Sequence, residues 1–447
     1  METKLARIAE TAKTKPEEKF TSLVHLINEE MLIECHQEIS GRKAVGIDKI
    51  SKEEYEQNLE SNIEDLLKRM KRQAYKPQAV RRVYIEKAGS NKKRPLGIPA
   101  YEDKIVQLAI VKILSAVYEQ DFLDCSYGFR PGRGCHDALK ILTHTIEKGK
   151  VNYIVDADIK GFFDHVDHEW LMKFLKHRIT DPNLLRIVVR FLKAGVMEAG
   201  IKYETPEGTP QGGVISPLLA NVYLHYVLDL WFYRIVRKKC KGKAYMVRYA
   251  DDTVWGFQHE EDARNFYVEL KERLAKFNLE VAEEKTKIIS FGKKANQSTD
   301  RGEKPEERTF DFLGFTHYGG KGRHGNFRVK KKTSGKKLRA SMKRCKEWIK
   351  RNRNLPAKEL MSKLRMKLIG YYRYYGITDN YRALMTFLNK VIEILYKWLN
   401  RRSQRKSFGW EKYKLFLNKY KLPLPKVYVN IYELEPRHIG WLRGMMI

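Results

Sequence analysis

The sequence predicts an α+β fold spread over two to four domains. At 447 residues the chain is longer than one hydrophobic core usually serves, and 43% hydrophobic residues suffice to fill several. Runs of β-prone residues broken by turns, at 81–99, around "EAGIKYE" and at 247–257, alternate with helical patterns in the first two thirds of the chain. Beyond about residue 321 helical patterns dominate up to about 403.

From about 18 to 40 the pattern is helical, and the basic, glycine-containing stretch "GRKAVGIDKIS" (41–51) interrupts it. A helix resumes over 52–73, with Leu59, Ile63, Leu66, Leu67 and Met70 on one face. "RRVYIEKAGSNKKRPLGIP" (81–99) reads as strand, basic turn and strand, followed by a helix over 102–120. "VNYIVDADIKGFFDHVDHEW" begins as a strand rich in β-branched residues and passes through acidic positions into a helix near His168. A helix at 183–194 and a short hairpin follow. "GTPQGGVISPLLANVYLHYVLDLWF" then opens a long apolar helix at a glycine-rich loop. Next come the hairpin "VRYADDTVWGF", a helix at 262–277 and strands at 279–291 and 309–316, with the polar stretch 292–308 as an exposed loop. Residues 321–350 hold 13 Lys and Arg against the single acid Glu347. The end of the chain reads as a short helix and a proline-broken strand, and no internal repeat is present.

The balance of 87 Lys+Arg against 55 Asp+Glu leaves a formal charge of +32, which points to a polyanionic partner. Nucleic acid suits it best, since 25 Tyr, 19 Phe and 7 Trp are interleaved with the basic residues and can pack against or stack on bases. An anionic membrane surface is the competing partner. No apolar run of about 18 residues, signal peptide or lipidation sequence supports it. Five scattered cysteines, Cys35, Cys125, Cys135, Cys240 and Cys345, form no C-x-x-C pair, arguing against zinc and against a disulfide framework and fitting a reducing, cytoplasmic setting.

The adjacent Asp251 and Asp252 are poor turn formers and repel one another unless a cation lies between them. Together with Asp158, at the end of another strand, they form a set of hard oxygen ligands lacking Cys or His. That is a magnesium site by ligand type, and two Mg²⁺ ions about 3.5–4 Å apart suit in-line phosphoryl displacement.

"RPLGIP", "SYGFRPGRG", "DIKGFFD", "GTPQGGVISPLLAN", "RYADD", "EKTKI" and "FDFLGF" occur in that order. In these blocks the chain resembles the group II intron-encoded reverse transcriptases and maturases, over about residues 20 to 435. The resemblance implies a right-hand polymerase: an N-terminal extension and start of fingers (1–80), fingers and palm (81–320), a helical thumb (321–395) and a C-terminal DNA- and RNA-binding region (396–447). It implies a bacterial or archaeal cytosolic enzyme that uses two Mg²⁺ and dNTPs. Its partners would be group II intron RNA, an RNA template with a DNA primer, and target DNA.

Carried over by position, Asp158 and Asp251 bind both metals, Asp252 is a less direct ligand, and Ile159 counts among the metal ligands. Asp156 matches a non-catalytic acid, expected to face away from Asp158 as a solvated or salt-bridged carboxylate. Phe163 matches the aromatic gate against ribonucleotides. Gln211 holds the incoming nucleotide at a helix start. Lys87 and Arg94 grip its triphosphate, with Lys92 or Lys93 as substitutes because the turn is one residue longer than usual. Lys285 or Lys287 lies near the departing pyrophosphate. Nucleic-acid contacts are expected from Arg42 and Lys43 in the N-terminal loop, Arg130 and Arg133 near the template, Lys330, Lys331, Lys336 and Lys337 in the thumb, and Arg401, Arg402, Arg405 and Lys406 beyond it. The chain stops before the zinc-bearing endonuclease domain of some relatives, so no self-directed target nicking is expected. Two further readings stand beside the polymerase: a maturase-only RNA binder and a domesticated reverse transcriptase in phage defence.

Overall fold

The computed structural model describes residues 2–86, 93–198, 200–205, 207–209, 212–294, 308–322, 324–402 and 407–435. Eleven strands form three sheets among these residues. The strands are β1 (Val80–Glu86), β2 (Lys93–Ile98), β3 (Tyr153–Ala157), β4 (Val196–Glu198), β5 (Ile201–Tyr203), β6 (Ala244–Tyr249), β7 (Asp252–Phe257), β8 (Lys287–Ser290), β9 (Thr309–Phe312), β10 (Phe315–Lys321) and β11 (Phe327–Thr333). The sheet orders are β2-β1-β4-β5, β6-β7-β3-β8 and β11-β10-β9.

The β6-β7-β3-β8 sheet is antiparallel throughout and carries the acidic positions at one end. Strand alternation splits its side chains between two cores. Val155, Met246, Trp255 and Phe257 join the helices Tyr101–Asp121, Ser216–Leu224 and Glu260–Ala275 in the largest core. Ile154, Tyr245, Val247, Val254 and Ile289 pack on the other side with the helix Cys135–Lys148 and the β9–β11 sheet. A third core joins the helices Gly335–Asn352, Ala357–Tyr375, Tyr381–Leu399 and Trp410–Lys419 around Tyr372, Trp398 and Tyr413.

Several elements differ from the sequence expectation. The first helix is Glu2–Thr14, whereas only Glu29–Glu38 of the region 18–40 is α-helical. There Asn28 caps the start, its side-chain oxygen accepting from Met31 N at 3.0 Å. The expected helix 52–73 breaks at Gln57–Asn58 into Lys52–Glu56 and Leu59–Lys71. Cys135–Lys148 was not foreseen as a helix, and the expected strand 279–291 shrinks to β8. The basic "FRVKKKT" is strand β11, because Val329, Lys331 and Thr333 point inward at every second residue. The loop expected at 292–308 lies mostly outside the described residues. The long apolar helix after Ser216 leaves α geometry for π turns at His225–Asp229 and Phe232–Val236 before ending at Lys239.

Candidate active site

The catalytic candidates come together because β6 and β7 form a hairpin alongside β3. Tyr249 pairs with Asp252, so the two-residue turn is Ala250–Asp251 rather than the two aspartates, and Asp252 is the first residue of β7. Ala250 takes φ +57°, a conformation that hairpin turns usually reserve for Gly, Asn or Asp. The turn is braced by the segment Cys125–Gly128. Arg248 N donates to Cys125 O and Tyr127 N to Arg248 O, both at 2.8 Å. A Cβ on Gly128 would lie 2.3 Å from Ala250 N, which accounts for glycine in "SYGF".

Asp252 is pushed up to about 7 by burial, then by the neighbouring charges of Asp156 and Asp251, while the Leu313 N–H opposes the shift. Asp251 is raised by burial and by Asp158, against Arg94 and Arg248. Asp156 also rises to about 7, through burial and then Asp311 and Asp158. This corrects the expectation for Asp156: residues two apart on a strand share a face, so Asp156 turns toward the acidic cluster and not away from it.

Asp158 Oδ2 accepts from Lys285 Nζ at 2.6 Å. Among the described residues no three His, Cys, Asp or Glu side chains are arranged to hold a metal ion as the side chains stand. The cluster nevertheless fits a divalent cation. Its donors are all carboxylate oxygens, and desolvated like charges are what a hard cation neutralises. Ile159 is buried and bridges Val281, so its main-chain carbonyl is the only atom it has to offer a metal.

Phe162 and Phe163, alike in sequence, part company in the fold. Phe162 is 2% exposed and packs near Tyr223 in the main core. Phe163 is half-buried and lines a cleft of about 310 Å³ with Arg82, Pro95, Leu96 and Gly97 of the β1–β2 hairpin and Gly208 and Thr209. Its carbonyl accepts from Thr209 N at 2.8 Å, which ties this segment to the glycine-rich loop. Gly212, at φ +113°, lies so close to β2 that a Cβ would be 2.7 Å from Gly97 O.

Arg94 is exposed on β2 and its charge reaches Asp251. Lys93 is exposed beside it, and Lys287, opposite Asp156 in the sheet, lowers that carboxyl. Lys87, Lys92, Gln211, Arg405 and Lys406 lie outside the described residues.

Of the expected nucleic-acid contacts, Arg42, Lys43, Lys336, Lys337 and Arg401 are exposed and Lys330 is half-exposed. The loop behind Arg42 and Lys43 is anchored by Arg81 on the carbonyls of Val45 and Gly46 and by Lys104 on Ala44 O. Two expectations are overturned by burial. Arg130 is 7% exposed, paired with Glu119 at 2.9 Å and bonded to the carbonyls of Leu123 and Ser126, so it pins its own loop. Lys331 is 1% exposed on the inward face of β11 and donates to Val329 O at 3.1 Å. Arg133 holds Asp124 at 2.5 Å, and Arg402 donates to Leu355 O at 3.3 Å, so both have structural partners as well.

The sequence reading missed Arg248, Asp229 and Asn221. Arg248, fully buried, donates to both Asp229 oxygens at 2.8 and 2.5 Å, to Asn221 Oδ1 at 3.0 Å and to Ala250 O at 2.9 Å. A signal existed: Arg248 alternates with Met246 on a strand face otherwise apolar, and Asp229 is the lone acid in "VYLHYVLDLWFYRIV".

Comparison with known proteins bears on the family of the chain. A family model described as reverse transcriptase (RNA-dependent DNA polymerase) matches residues 85–317, and one described as the group II intron maturase-specific domain matches 338–416. The group II intron-encoded protein LtrA of Lactococcus lactis is 40% identical over 231 residues, 51% of this chain and 38% of that protein. Protein YkfC of Escherichia coli is 34% identical over 226 residues, 49% of this chain and 59% of that protein. The matched stretch is thus under two thirds of either relative's length. A solved telomerase from Candida albicans, in complex with a fragment of telomeric RNA, aligns with a TM-score of 0.42 and 14% identity over 83% of this chain and 66% of its own. No helix among the described residues is long and apolar enough to cross a membrane. With the polymerase model spanning more than half of its residues, and the maturase-specific match following it, the chain belongs to the reverse transcriptase (RNA-dependent DNA polymerase) family.

Proposed function

We propose that this chain is an RNA-directed DNA polymerase encoded by a group II intron, extending a DNA primer on intron RNA during retrohoming and assisting splicing by binding that RNA. The observation that carries the reading is the partly desolvated carboxylate cluster of Asp158, Asp251 and Asp252, whose Asp251 feels the charge of Arg94 on the same β1–β2 hairpin that borders the Phe163 cleft. Asp158 and Asp251, with Asp252 and the Ile159 carbonyl in support, would hold two Mg²⁺ ions, whose chemistry is to activate the primer hydroxyl and stabilise the departing oxygen. Phe163, which lines the cleft, would stand against the sugar of a dNTP and exclude a 2′-hydroxyl. Arg94, with Lys87 and Gln211, would bind the triphosphate, and Lys285, paired here with Asp158, would lie within reach of the departing pyrophosphate. The maturase-specific match and the relatives' description as group II intron-encoded support intron RNA as the second partner.

Asp251→Asn tests the reading, because the amide keeps the shape and removes the charge a divalent cation needs. Primer extension on an RNA template should be abolished while intron RNA binding persists. Extension within about tenfold of the parent would refute the assignment, since loss of such a ligand removes a dominant electrostatic contribution.

A further inference from the structure

Arg248 lies three residues before Asp251, on the face of β6 turned to the main core, and its guanidinium is 0% exposed. Burying that charge is costly unless it is paired and its donors are satisfied. Asp229 supplies the opposite charge with both oxygens, and Nη1 reaches Asn221 Oδ1 and Ala250 O. Asn221 in turn donates to Gly128 O at 2.8 Å, the residue against which the Ala250 turn is pressed.

The π turn at His225–Asp229 explains how one helix offers both partners. In an unbroken α-helix, residues eight apart are about 80° out of line, at 100° per residue. One extra residue taken up by a π turn brings that offset to about 20°. Asn221 and Asp229 therefore stand on one stripe facing Arg248, an arrangement regular helix geometry would not give. His225 lies 4.0 Å from Asp229, and burial pushes it down to about 4, leaving it neutral near pH 7 and Asp229 committed to Arg248.

We propose that Arg248, clamped by Asp229 and Asn221, is the positioning residue of the catalytic turn: it fixes the Ala250 carbonyl and with it the direction of the Asp251 carboxylate. The link to catalysis rests on the polymerase reading above; the positioning itself does not. A purely structural ion pair could sit anywhere in the core, whereas this one spends a donor on the turn whose positive-φ Ala250 must be held in place.

Arg248→Lys keeps the charge but offers one nitrogen where three acceptor groups await, so the turn should loosen while the fold persists. Asn221→Ala removes one acceptor without unpairing the charge, and serves as the second variant should Arg248→Lys not fold. Hydrogen–deuterium exchange on the protein without nucleic acid should show faster exchange in the peptide covering 246–254, with β3 and the helices 335–399 unchanged. Ca²⁺-supported dNTP binding to a chain-terminated primer complex should weaken about tenfold and single-turnover extension fall about 10- to 100-fold, as expected of a displaced reacting group, with template–primer affinity within about twofold. Unchanged exchange in the turn of a folded variant, or exchange raised equally across the protein, would overturn the positioning role. A parent that fails to extend primer would sink the polymerase reading instead, leaving the exchange result to decide the positioning.

Discussion

Replacing Lys331 with Met separates the role that its sequence context suggests from the one its burial imposes. In the fold Lys331 sits opposite His317 in the β10–β11 pair, 5.7 Å from the Tyr432 ring, with Asp379, Glu147 and Arg328 the charged groups acting on it. Burial lowers the ammonium from 10.5 to about 7, helped by Arg328 and opposed by Asp379 and Glu147. Between those two values the folded protein binds fewer protons than the unfolded chain. Stability therefore rises with pH across that window, and below it the cost of this group is at its full value and no longer varies with pH. At 1.36 kcal/mol per pH unit the gap sets a ceiling of about 5 kcal/mol on the cost of Lys331 at pH 7. Met is of similar length and escapes that cost, but forfeits the bond to Val329 O and the contact with Tyr432, together about 1–2 kcal/mol. The net expectation is a variant at most about 3–4 kcal/mol more stable at pH 7, with the advantage gone by about pH 10. Urea unfolding followed by tryptophan fluorescence at pH 7, 8.5 and 10 reads this out. RNA affinity, measured in parallel, should stay within about twofold because a buried ammonium releases no phosphate counterion. A variant less stable at every pH by the same amount, or one that folds normally and loses RNA affinity, would refute the reasoning.

Phe163→Ala should let the polymerase accept ribonucleotides and, because the ring is half-buried, cost about 1–2 kcal/mol, under half of a full Phe→Ala core deletion; an unchanged dNTP preference in competition assays would reassign the ring to packing. Arg130→Ala should lower stability by about 3–5 kcal/mol, the cost of leaving Glu119 unpaired near the core, and thermal unfolding that moves little would return Arg130 to the template surface. The double change Lys336→Ala and Lys337→Ala should reduce the log–log salt slope of RNA binding by about 1.4–1.8, and an unchanged slope would remove both from the footprint.

What sequence could and could not show follows from the range over which each feature is encoded. The β6–β7 hairpin and the strand before Asp158 are written in contiguous β-branched and aromatic runs, so their existence is legible, although the choice of Ala250–Asp251 as the turn is not. Phe162 and Phe163 are chemically identical, and only the core around Tyr223 and the glycine-rich loop at Thr209 decide which ring faces the cleft. Neither partner is near in sequence. The π turn that aligns Asn221 with Asp229 has no residue signature at all.

The basic residues carry the larger lesson. A formal charge of +32 invites every Lys and Arg to be read as surface for a polyanion, yet Lys104, Arg130, Arg178, Arg248 and Lys331 are buried. Alternation separates one of them: in "FRVKKKT" the inward set Val329, Lys331 and Thr333 is marked by Val329, which shares a core with Phe310 and Phe315 of the same sheet. Composition counts charges, whereas the strand period says which side each one faces. The second constraint governs wherever one face of a sheet is buried and the other open, because one register step would exchange Lys331 with its more exposed neighbours Lys330 and Lys332. The phosphate-binding surface that the proposed function calls for must therefore be sought among exposed cations such as Arg42, Lys43, Lys336 and Lys337. On the proposed reading, buried cations like Arg248 would act on nucleic acid only through the acidic residues they hold in place.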